Sequence, residues 1–172
     1  MKPTLEQVKK AMPKAVKLDT YYPHLVAALE QFAINTPLRV AHFLAQVGHE
    51  SLGFVYMEEL ASGIAYEGRK DLGNTQAGDG KRYKGRGVIQ ITGRANYKAV
   101  GEALGHDFVS DPEALEKPEW AFKSAGWFWK KNGLNELADA DNVEKITRRI
   151  NGGLNGFEDR KVRLEVAKKA LV

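Results

Sequence analysis

The stretch from Thr36 to Gly53 constrains this chain more than any other. Thr36 followed by Pro37 is a helix start, a side-chain N-cap and then a first-turn proline. Val40, Phe43, Leu44 and Val47 then recur at i, i+3, i+4 and i+7, the spacing of one buried helical stripe. Gly53 is the expected stop. A helix with that stripe needs other helices to cover it, and the flanking sequence supplies them. Thr4 and Gln7 have capping-box spacing ahead of a short helix limited by Pro13. Pro23 opens a second helix, with Leu25, Val26, Leu29 and Phe32 on one stripe. Further helices are expected near Arg94, at Asp111-Pro112, and at Pro118 with Phe122, Ala125 and Trp129 on one face. Another is capped by Asp141 with Glu144 and ends at Asn151-Gly152-Gly153. A last one carries Val162, Leu164, Val166 and Leu171. The fold class is therefore mainly α, with at most a small β-hairpin or sheet. The 172 residues contain no repeat and no Ser/Pro linker, so residues 1–172 are expected to form one domain.

Composition narrows the chemistry. There is no cysteine, which removes disulfide scaffolds, cysteine nucleophiles, thiolate zinc sites and iron–sulfur clusters. No apolar run is long enough to cross a bilayer, and the N-terminal stretch has lysines but no apolar core or cleavage site of a secretory signal. Synthesis in a cytoplasm is the expectation. With 26 Lys+Arg against 22 Asp+Glu the net charge is +4, which attracts polyanions such as an acidic cell wall.

Between Ser62 and Gly87 apolar periodicity disappears and Gly, Asp and Asn are frequent, the texture of a functional loop. Val88 to Thr92 is a short β-like run between glycines, with the hydrogen-bonding side chains Gln90 and Thr92 on one strand face. Amide and hydroxyl groups beside Tyr97 suit a sugar-binding groove. The glycines form neither a dinucleotide fingerprint nor a P-loop. Lys81, Arg82, Lys84 and Arg86 could track phosphates, but no aromatic stacking series accompanies them, so nucleic acid is not expected.

Glu50 breaks the helical pattern usefully. It lies three residues after Val47 and so falls on the apolar face. Burial disfavours a charged carboxyl, and a carboxyl that keeps its proton at neutral pH is what a general acid requires. His49-Glu50 is not a zinc-protease motif, because position 53 is Gly rather than His. His24, His42 and His106 are scattered and are expected to be ordinary core or surface residues. A second carboxylate, Glu59, follows nine positions on, with Glu58 as a rival. One continuous helix would separate Glu50 and Glu59 by about 13 Å of rise on opposite faces. A break between them lets both reach one cleft, as an inverting glycosidase requires.

Ala45-Gln46-Val47-Gly48-His49-Glu50-Ser51, Glu59-Leu60, Gly85 to Thr92, and Arg149-Ile150-Asn151-Gly152-Gly153 occur in that order. Together they resemble glycoside hydrolase family 19, the chitinase class, and most closely its phage-type endolysin/lysozyme branch. Tyr66-Glu67-Gly68-Arg69, Leu72-Gly73-Asn74 and Gly78-Asp79-Gly80 also resemble that branch. The resemblance implies a lysozyme-like helical domain that cleaves β-1,4 links with inversion, without metal or cofactor. It implies Glu50 as general acid, Glu59 as general base and Thr92 as the residue positioning the water. His49, Gln90, Asn96, Tyr97 and Asn151 are implied as substrate contacts, and Arg160 as an arginine supporting the second carboxylate. Leu52, Val88 and Glu58 depart from common chitinase patterns and favour bacterial peptidoglycan as substrate. The expected protein is a monomeric endolysin that meets the wall after release, with a holin or export partner and without stable membrane insertion. The alternatives are a chitinase on the same scaffold, a catalytically inactive wall-binding module, and membrane disruption by Lys9, Lys10, Lys14 and Lys17.

Overall fold

A computed structural model describes residues 1–172. Nine α-helices carry the chain: α1 (Leu5–Ala11), α2 (Leu18–Gln31), α3 (Pro37–Glu50), α4 (Asp79–Arg82), α5 (Arg94–Leu104), α6 (Pro118–Lys131), α7 (Leu134–Asp139), α8 (Val143–Asn151) and α9 (Phe157–Leu171). Short 3₁₀ turns at Ile64–Tyr66, Lys70–Leu72 and Pro112–Glu116 punctuate the connections. No helix is long and apolar enough to cross a membrane.

Helix α3 is the axis of the core. Every residue from Val40 to Gly48 is buried, and α9 packs along it. Phe43 meets Trp129 of α6 edge-on, with ring centres 5.3 Å apart. Each large apolar side chain buried here contributes about 1.5–3 kcal/mol. The cap is as expected: Thr36 Oγ1 accepts the Arg39 N–H at 3.2 Å. The Thr4–Gln7 capping box on α1 also forms, with both reciprocal bonds present.

Three local expectations change. Helix α2 begins at Leu18, not at Pro23, which lies inside it. Leu18, Tyr21 and Leu25 are buried at helical spacing, so burial of the extra turn outweighs the one backbone bond that proline cannot donate. Helix α8 is capped by Asn142, whose Oδ1 accepts the Lys145 N–H at 3.0 Å. The neighbouring Asp141 is instead held by His42 and Lys168. The 88–92 run is not a strand. Gly87 and Gln90 both have positive φ, and the loop is closed by two backbone bonds between Arg86 and Ile91. Extended structure is limited to isolated antiparallel bridges, Glu58 with Arg86 and Arg86 with Ile91.

Candidate active site

Helix α3 ends on Glu50 itself, three residues before the glycine expected to stop it. Ser51 is fully buried. Its hydroxyl donates to the Val47 carbonyl at 2.6 Å and accepts the Phe54 N–H at 2.9 Å. Leu52, Gly53 and Phe54 then all adopt positive φ, so the chain reverses within three residues. Gly53 is needed there twice over: its φ is +66°, and a Cβ would stand 3.0 Å from the Lys14 carbonyl oxygen. The break that the two glutamates require thus exists, built by a buried serine as much as by glycine.

Glu50 is 18% exposed and belongs to a polar cluster inside the helical core. Arg160 of α9, 1% exposed, donates to Glu50 Oε1 at 2.6 Å and to Gln46 Oε1 at 2.6 Å. Its Nε donates to the Asn155 carbonyl at 3.1 Å. Arg160 therefore supports the first carboxylate, not Glu59 as expected. The reason is topological: α9 packs along α3, the helix that carries Glu50. Asn151 joins the same cluster indirectly, its Oδ1 accepting the Asn155 N–H at 3.2 Å. His49 packs over Gly156, and its Nδ1 is 2.7 Å from Asp159 Oδ2. Burial pushes the Asp159 carboxyl up, but bonds from Arg163 and His49 outweigh it and hold it below the usual carboxylate range.

Glu59 is positioned by a different set of contacts. Its backbone N–H donates to the Gly85 carbonyl at 2.9 Å, and its Oε2 accepts the Gly85 N–H at 2.6 Å. A Cβ on residue 85 would stand 2.6 Å from Glu59 Oε2 and 2.8 Å from Gln90 Oε1, so any larger residue there moves one or both of these side-chain ends from their present positions. Tyr66 lies beside Glu59. Burial, and then the neighbouring Glu59 charge, pushes its phenol above the usual range. Glu58 loses its claim to the role: it is 47% exposed and ion-paired to Lys84 Nζ at 2.9 Å.

Tyr97 does not line the groove. It is fully buried, and its hydroxyl bridges the Lys84 carbonyl and Arg86 Nη1. Burial pushes its phenol well up from the ordinary value. Because Lys84 and Arg86 flank Gly85, Tyr97 braces the peptide that grips Glu59.

Gln90, Thr92 and Asn96 do meet in one groove of about 330 Å³, with Trp127, Lys131 and Ile150 among its walls. That volume suits a small ligand such as a sugar unit. Asn96 Nδ2 donates to the Thr92 carbonyl at 2.8 Å, and Thr92 Oγ1 donates to the Gln90 carbonyl at 3.0 Å. Gln90 holds φ +65°, a strained conformation for a side-chain-bearing residue, fixed by its Nε2 bond to the Gly87 carbonyl at 2.9 Å.

The structure thus forms two groups from the expected residues. His49, Glu50, Arg160 and Asn151 belong to the α3–α9 side. Glu59, Gln90, Thr92 and Asn96 belong to the loop side. Four contributors carry no role from the sequence: Gln46, Ser51, Tyr66 and Gly85. Only Gln46 had a visible cue, a polar residue on the apolar face one turn before Glu50.

The family model described as "Chitinase class I" matches residues 19–157. A glycosyl hydrolase family 19 domain-containing protein of Haemophilus influenzae is 35% identical, over 88% of this chain and 88% of its own. An endochitinase of Arabidopsis thaliana is 41% identical over 74% of this chain. The aligned region spans only 46% of that plant protein. Among solved structures, chitinase C of Streptomyces griseus superposes with a TM-score of 0.81 at 24% identity, covering 98% of this chain and 91% of its own. A bacterial family 19 chitinase gives 0.82 at 25% identity, covering 98% and 94%. The chain belongs to glycoside hydrolase family 19 and has its lysozyme-like helical fold.

Proposed function

We propose that this protein hydrolyses the β-1,4-linked glycan of bacterial peptidoglycan with inversion at the anomeric carbon. The carrying observation is the separate anchoring of two carboxylates. Glu50 is held from the core through Oε1, and Glu59 from the loop through Oε2. Each keeps one oxygen outside its anchor. In the mechanism, Glu50 Oε2 carries the proton delivered to the leaving glycosidic oxygen. Glu59 Oε1 takes a proton from the attacking water on the opposite face of the ring, and Thr92 Oγ1 orients that water. Gln90 and Asn96 hold the sugar through its amide and hydroxyl groups. An inverting pair needs about 6.5–9.5 Å between carboxyls, room for one water.

Peptidoglycan is favoured by charge. Its wall carries carboxylates and phosphates, whereas chitin is neutral, so a chain of net charge +4 gains long-range attraction only toward the former. The second reading is chitin hydrolysis, supported by the chitinase relatives.

Mass spectrometry of fragments from purified peptidoglycan and from chitin oligomers, digested in parallel, separates the two. Cleavage of peptidoglycan at β-1,4 bonds, lost in Glu50→Gln, supports the proposal. Cleavage of chitin alone transfers the assignment to the second reading, and cleavage of neither ends the hydrolase account.

A further inference from the structure

The whole net charge of this chain comes from its first seventeen residues. They hold five lysines and one glutamate, while the other 155 residues carry 21 basic and 21 acidic side chains. Lys10, Lys14 and Lys17 are exposed, and none of them is in an ion pair. Lys9 alone of the cluster is engaged, by Glu6 and Asp19.

This basic segment is fastened to the turn that follows α3. The Val16 N–H donates to the Gly53 carbonyl at 2.9 Å, and Lys14 and Ala15 lie directly against Gly53. Gly53 belongs to the reversal that follows Glu50, so Lys14 and Lys17 bracket the strut supporting that turn.

We propose that Lys10, Lys14 and Lys17 form a docking surface for a flexible phosphodiester polyanion of the cell envelope, which holds the enzyme on its substrate from beside the turn that follows Glu50. This deepens the wall-glycan reading and rests on it for the origin of the polymer, but not for binding itself. An extended polyanion fits better than a bilayer. Helix α1 buries Val8 and Ala11, and Met12 just after it is buried too, so the helix itself presents no broad apolar face to enter lipid; the apolar side chains left exposed near the lysines are single ones such as Val16 and Leu52. Attraction at this surface is then Coulombic and salt-sensitive, as for any polymer that releases counterions on binding.

The test uses long-chain inorganic polyphosphate as probe, with phosphatidylglycerol vesicles in parallel, over a range of salt. The intact protein is compared with the triple variant Lys10→Gln/Lys14→Gln/Lys17→Asn. Asparagine is chosen at 17 because that residue has φ +54°. A control triple, Lys81→Gln/Lys130→Gln/Lys145→Gln, removes the same charge elsewhere. Polyphosphate affinity should fall about 10–100-fold in the first variant, and the slope of log affinity against log salt should drop by about 2. The control should stay within about twofold. Equal weakening by both triples, or vesicle binding that survives high salt, overturns the proposal, as does absence of binding at low salt. Cleavage of neutral chitin oligomers should be the same in all three proteins. Absence of cleavage of both chitin oligomers and purified peptidoglycan in every protein, with polyphosphate binding intact, strikes the hydrolase reading and leaves this one standing.

Discussion

Replacing Arg160 by methionine should destabilise the protein severely while nearly preserving its volume. Arg160 is 1% exposed and makes three bonds, to Glu50, Gln46 and Asn155. Methionine strands the buried Gln46 Oε1, returns the carbonyl of the exposed Asn155 to water, and leaves Glu50, itself 18% exposed, without its cation. Breaking one partner of a buried pair costs about 3–5 kcal/mol, and each unsatisfied acceptor about 1–3 kcal/mol where water cannot reach it. Water reaches Glu50 in part, so we take about 4 kcal/mol for the whole change. For a chain of this length that is a fall in melting temperature of about 8–16 °C. The informative assay is a double-mutant cycle with Glu50→Gln, read by thermal unfolding. Glutamine at 50 carries no charge to be stranded, so the double variant should be more stable than the sum of the singles by about 1–3 kcal/mol. Additivity within about 0.5 kcal/mol would refute the reasoning, because it would mean that Arg160 and Glu50 do not depend on one another.

Glu50→Gln and Glu59→Gln should each lower kcat by about 10²–10⁴ with the fold retained, measured by reducing-end release and circular dichroism. Gly85→Ala should cripple activity nearly as much, since the added methyl displaces Glu59 or Gln90; retained activity would remove Gly85 from the account. Tyr97→Phe should cost about 1–3 kcal/mol in denaturant unfolding and lower kcat more than it changes KM, since the lost hydroxyl braces the peptide that holds Glu59. His42 predicts an acid weakness. Burial lowers its pKa from 6.5, more than Asp141 raises it, so the unfolded chain binds the extra proton first. Stability should fall as pH drops below about 6.5, and His42→Leu should flatten the profile between pH 7 and 5.

The helical frame was legible in the sequence because its determinants are local. The Thr36-Pro37 start, the Thr4–Gln7 box and the Gly152 stop each depend on neighbours within one turn. Pro23 misled because its ordinary place is a helix start, and only the tertiary burial of Leu18 and Tyr21 draws the helix past it. The 88–92 run resembled a strand in its β-branched composition, yet two positive φ angles close it into a loop, and one of them is at Gln90, where no glycine announces it. Spacing alone singles out the two candidate carboxylates. It does not show their anchors, since Arg160 meets Glu50 across 110 residues and the Gly85 amide meets Glu59 across 26. Tyr97 illustrates the same limit: an aromatic beside polar groups reads as a groove wall, and only the packing shows it supporting the Gly85 peptide from behind.

The sharpest test of two cooperating carboxylates is the configuration of the first product. Nuclear magnetic resonance of a digest, followed from the earliest times, distinguishes the anomers before they equilibrate. The account predicts that the new reducing end appears as the α-anomer from a β-linked substrate, because Glu59 activates a water rather than attacking the sugar. Initial release of the β-anomer would contradict it, since that outcome needs a second displacement at the same carbon.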